Sequence, residues 1–185
     1  MKRMKWLSWI LIILVAGMWT AAFAAEEEHH HGEHFNKKLY DKLSKKTIGR
    51  IMSGNIDVDA MIADMEELLE QGVEGAEGHM EDSHTPAAEA NMMKILIENH
   101  EKMTSMSLND LETQWHQGAA LKAEGIDISK LDPLGETMRH LELLVCPAEA
   151  IVCLKEYKKT KDEKLLEKVE ESLVEARDHL KHLEG

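Results

Sequence analysis

Six of the eleven histidines fall in two short segments that share a vocabulary of Glu, His and Gly. These are residues 26–34 (EEEHHHGEH) and 72–84 (GVEGAEGHMEDSH). Imidazole nitrogens and carboxylate oxygens on adaptable backbone are ready ligands for Cu, Zn or Ni ions. His29, His30, His31, His34, His79 and His84 are therefore the main candidate metal ligands. The competing explanation is a solvated acidic tail with incidental histidines, and three adjacent histidines bind divalent metal in vitro whatever their purpose.

A softer candidate lies further on. His100 sits near the apolar stripe of its segment, with Met93 and Met103 on the same side and Met106 a turn later. Thioether and imidazole together suit Cu(I), or an axial pair for non-covalent haem. The plainer account is that methionine fills the core of a chain with only 4% aromatic residues.

Glu112/His116, Glu136/His140 and Glu175/His179 are each spaced i, i+4, which places each pair on one helical face. A bundle can assemble a shared site from such residues. Counting about 100° per residue puts His116 and His140 roughly 100° from their stripe centres, and His179 roughly 80°. These are flank or surface positions, and the spacing predicts ordinary surface pairs. Cys146 and Cys153 share a helical face but are about 10 Å apart along an unbroken helix, beyond disulfide reach. A local disulfide across a helix broken at Pro147, an intermolecular disulfide and two inert buried thiols all remain open. Glu142 and Glu149 lie near the same flank and would make a thiol–carboxylate face.

Other chemistry is missing. There is no C-x-x-C-H, which excludes covalent c-type haem. There is no H-E-x-x-H motif, nucleophile elbow or phosphate-binding glycine loop. The reading is non-enzymatic. Leu-Thr-x-x-Gln repeats, as in zinc-responsive periplasmic chaperones, are not present beyond Leu111-Glu-Thr-Gln114. The order Glu-x-x-x-His is the reverse of the His-x-x-x-Glu of haemerythrin-like bundles.

The elements that must position these residues are helical. No segment alternates with period two, and the chain is rich in Glu, Lys, Leu, Met and Ala. Phe35 to Ser53 reads as a helix stopped by Gly54, and Val58, Met61, Met65 and Leu68 mark a second, completing a helical pair over 35–71. Residues 72–84 break the pattern and read as an acidic Gly/His loop. Thr85-Pro86 opens a third helix, Ser107 with Asp110 caps a fourth, and Asp132-Pro133 a longer one that Pro147 should kink or break. Leu166, Val169, Leu173, Ala176, Leu180 and Leu183 mark the last. The expected fold is all-α: a four-helix bundle over about 86–184 within residues 85–185, with the pair at 35–71 packed on it.

The first 24 residues read as a signal peptide: Lys2, Arg3 and Lys5, an apolar core, then Ala22-Phe23-Ala24. The uncharged run from Trp6 to Ala25 would also serve as an N-terminal membrane anchor if uncut. Residues 25–34 follow as a disordered His/Glu-rich segment. Either way the expected location is periplasmic or secreted. The formal charge of −13 argues against a nucleic-acid partner. The leading expectation is a periplasmic helical bundle that binds or buffers a transition metal, with His100 and Met103 as lesser ligands. The alternatives are an interaction or chaperone-like module holding a protein partner on a Met-rich face, or a bundle with non-covalent haem. A homo-oligomer is compatible with all three.

Overall fold

The computed structural model describes residues 35–183. The expected signal peptide (1–24) and the His/Glu-rich segment (25–34) lie outside the described residues.

The described chain is all-α. Helices α1 (Lys37–Ser53), α2 (Val58–Glu81) and α3 (Ala87–Met103) come first. Then follow the short α4 (Leu108–Leu111), a π-turn at Glu112–His116 and the short α5 (Ala119–Ala123). A 3-10 turn at Ile128–Lys130 leads to α6 (Glu136–Thr160), and α7 (Lys164–His182) closes the chain. The starts are chemical. The Asn36 carbonyl side chain accepts from Leu39 N at 3.0 Å, and Asp57 accepts from Ala60 N at 3.2 Å. Ser107 accepts from Asp110 N at 3.1 Å, as the Ser-x-x-Asp spacing predicts. Gly54 ends α1 in the left-handed conformation.

Helix α6 is the centre, and every residue from His140 to Leu154 is buried. It packs chiefly on α7 and α2, with α3 alongside, while α1 lies against α7 and α2. The N-terminal pair is thus part of the same core rather than an addition to a bundle over 86–184. Met61, Met65, Met92, Met93 and Met103 are fully buried in that core. Methionine here fills space that aromatic residues would otherwise take. Among the described residues no helix is long and apolar enough to cross a membrane.

The expected loop over 72–84 is instead the last turns of α2, which runs to Glu81. Gly72, Gly75 and Gly78 recur at steps of three and are all buried. A Cβ at Gly72 would stand 2.5 Å from the Leu143 carbonyl oxygen. Gly72 and Gly75 are therefore a close-packing face for α6, and the tertiary contact outweighs a helix-propensity cost of about 1 kcal/mol each. Residues 82–86 make the connection to α3.

Pro147 does not break α6. A proline at this point deprives the carbonyl four residues earlier, that of Leu143, of its helical donor. The hydroxyl of the buried Tyr40 donates to that carbonyl at 3.0 Å. The helix also begins later than Asp132-Pro133 suggested. Asp132 accepts from Leu134 N at 2.9 Å and forms a turn ahead of it, so α6 starts at Glu136.

Candidate metal centre

Two groups of imidazole and carboxylate ligands converge on α6 and could hold a metal ion. The first comprises His79, Glu136 and His140, whose nearest ligand atoms all lie within 4.8 Å of one another. The extension of α2 to Glu81 carries His79 to the N-terminal end of α6, where Glu136 and His140 sit one turn apart. Glu136 Oε1 lies 3.8 Å from His79 Nδ1 and 3.9 Å from His140 Nε2. The two rings stack with centroids 5.0 Å apart. His140 is 0% exposed and His79 is buried. The ring of His140 and that of Phe35 both lie against Gly75, where a Cβ would stand 3.2 Å from His140 Nδ1.

The outer contacts of His79 fix its chemistry. Thr137 donates its hydroxyl proton to Glu89 Oε2. With that proton committed, the Thr137 oxygen, 3.1 Å from His79 Nε2, accepts the Nε2–H of His79. Nδ1 of the same ring is thereby turned toward Glu136, 3.8 Å away. A ligating imidazole held on its far nitrogen by a hydroxyl and a carboxylate is the usual support of a metal-binding histidine. Two imidazole nitrogens and one carboxylate oxygen form a set that suits Zn, Cu or Ni and leaves a coordination position for a further donor.

The second group lies farther along α6. Glu112, His116 and Glu149 bring ligand atoms within 4.8 Å of one another. Gln117 N reaches the Glu112 carbonyl at 2.9 Å, closing the π-turn that carries Glu112 and His116. Gly118, at φ +72°, ends it in a conformation that favours glycine. His116 Nδ1 is 3.5 Å from Glu142 Oε2, and Nε2 is 3.9 Å from Glu149 Oε2. Ser172 donates to Glu149 at 2.5 Å, and Lys168 Nζ is 2.8 Å from the other oxygen of that carboxylate. Burial alone would lower the His116 pKa, but its contact with Glu142 and the charges of Glu142, Glu149 and Glu112 raise it overall. Burial and the neighbouring Glu142 raise the Glu175 carboxyl, partly opposed by His116 and His179.

Both cysteines are free and buried. Burial, then the Glu142 carboxylate, pushes the Cys146 thiol well up, and Cys146 donates to Glu142 at 3.6 Å. Burial raises Cys153 to about 12. The inert-thiol alternative is the one this arrangement matches.

The ligands expected from the sequence are dispersed. His29, His30, His31 and His34 lie outside the described residues. His79 joins the first group. His84 is 70% exposed, with Nδ1 3.1 Å from Asp82. His100 is half-buried and donates from Nδ1 to the Ile97 carbonyl of its own helix at 2.6 Å. Met103 is fully buried in the core.

The partners of His79 were present in the sequence as i, i+4 pairs and were placed at the surface by their angle from a stripe. That placement is corrected for His140, which is fully buried, while His116 is 16% exposed and holds a flank position. From His140 to Leu154 helix α6 is buried on all sides, so it has no stripe centre from which to measure. His116 sits in a π-turn, where the 100° step does not apply.

Comparisons with protein-family models, curated proteins and solved structures gave no match.

Proposed function

We propose that this protein is a periplasmic, non-enzymatic helical bundle that binds or buffers a transition metal, with His79, Glu136 and His140 as the central ligands. The observation that carries the reading is the convergence of ligand atoms from His79, Glu136 and His140 within 4.8 Å of one another, with His140 fully buried and His79 buried beside it. Thr137 and Glu89 hold the far nitrogen of His79, so Nδ1 is turned toward Glu136, 3.8 Å away. A cation between imidazole nitrogens and a carboxylate is well accommodated in such a site. Zn, Cu and Ni are the ions this donor set favours.

The His-rich segment fits the same account. His34 directly precedes Phe35, and the Phe35 ring lies against Gly75, the residue the His140 ring also touches. Histidines 29, 30, 31 and 34 are thus tethered within a few residues of the buried group. They would raise the local metal concentration and supply the further donor. His84 and His100 with Met103 take lesser parts.

Elemental analysis tests the proposal: untagged protein from its native compartment, purified without metal resin. Near-stoichiometric Zn, Cu or Ni is the expected result. Protein that is metal-free and takes up none of these ions when they are added would overturn it.

A further inference from the structure

The second group on α6 is separate from the first in residues and in donor chemistry. It offers one imidazole and two carboxylates, from Glu112 and Glu149, with the Glu142 carboxylate 3.5 Å from the far nitrogen of His116. Glu142 and Glu149 are only 8% and 5% exposed. His116 Nε2 is buried with no hydrogen-bond partner, and it faces Glu149 Oε2 at 3.9 Å. A buried nitrogen without a partner costs free energy that a ligand would recover.

The surroundings point the same way. Lys168 Nζ lies 2.8 Å from Glu149 Oε1, and Glu142 Oε2 lies 3.5 Å from His116 Nδ1, which leaves Nε2 turned toward Glu149. The support around the donors is already in place. Ser172 and Lys168 hold Glu149, and the Cys146 thiol holds Glu142. The thiol supports Glu142 from 3.6 Å and lies outside the converging donors. The π-turn brings Glu112 and His116 to the group from outside α6, and such turns recur where side chains must be aimed at a site.

The geometry points to a second cation site at Glu112, His116 and Glu149, with Glu142 behind the far nitrogen of His116, selective for an oxygen-preferring divalent ion such as Mn²⁺ or Fe²⁺. Carboxylate-rich sets with one imidazole favour these ions over the softer ones suited to the His79 group. This inference does not depend on the first site being occupied.

The test uses the full chain with the first site silenced by His79→Gln and His140→Gln, and with His29, His30, His31 and His34 changed to Gln. Mn²⁺ is added and the free ion is followed by its paramagnetic resonance signal. One Mn²⁺ should disappear per chain, and adding Glu112→Gln or His116→Gln should weaken binding at least tenfold. Glu112 is half-buried, so its variant keeps the test valid if His116→Gln disturbs folding, and circular dichroism verifies each fold. No loss of the Mn²⁺ signal in the folded parent would overturn the inference. So would binding that the Glu112→Gln change leaves unaltered. Failure here would leave the zinc, copper or nickel content of the unmodified protein untouched.

Discussion

His79 and His140 stack nearly parallel across the contact of α2 with α6, their planes 21° apart and their ring centroids 5.0 Å apart. The contact joins the end of one helix to the start of another, and Glu136 touches both rings. If this trio is the metal centre, its support should matter almost as much as its ligands. Thr137→Val removes the acceptor that holds His79 Nε2–H while preserving side-chain shape. It should lower Zn²⁺ affinity by about 10- to 100-fold, measured by competition with a chromophoric chelator, and leave the helical circular dichroism unchanged.

Tyr40→Phe tests the account of Pro147. The Leu143 carbonyl takes its hydrogen bond from Tyr40 rather than from α6. Without the hydroxyl a buried acceptor is left unsatisfied, at a cost of about 1–3 kcal/mol. Urea unfolding should show a lower midpoint with an unchanged slope.

Gly72→Ala sets two effects against each other. Alanine gains about 1 kcal/mol of helix propensity over glycine. The added Cβ, however, would meet the Leu143 carbonyl oxygen at 2.5 Å, and a backbone atom of the central helix cannot move aside cheaply. Overpacking costs typically about 1–3 kcal/mol, so the net effect should be destabilising in thermal unfolding. At Gly49, where a Cβ meets nothing within 4 Å, the same change should stabilise.

The thiols should be silent in the folded protein. With Cys153 raised to about 12 and Cys146 well above the ordinary range, thiolate is negligible at pH 8. Reaction with a thiol-specific disulfide reagent at pH 8 should be slow in native conditions and complete in guanidinium. Rapid native labelling of either cysteine would contradict this burial.

The helical class was legible in the sequence because apolar residues at steps of three and four specify helices wherever one face meets solvent. Gly54 and Ser107 act as their residue types predict. The stretch 72–81 was not legible as helix, because Gly72, Gly75 and Gly78 read as breakers until the packing of α6 against Gly72 and Gly75 is known. Among the ligands, His79 was legible from composition alone. His140 and His116 were visible only as pairs with Glu136 and Glu112. The burial of His140 follows from long-range packing of α6, and the inward aim of His116 from a π-turn, and neither leaves a local period in the chain.

The central claim is that His79, Glu136 and His140 bind metal specifically and that the adjacent tail alone does not account for it. The direct measurement is calorimetric titration of Zn²⁺ into the untagged chain with His29, His30, His31 and His34 all changed to Gln. The same titration is then run with His79→Gln and His140→Gln added. The account predicts one tight equivalent in the first protein and its loss in the second. No binding in the first, or equal binding in both folded proteins, would contradict it.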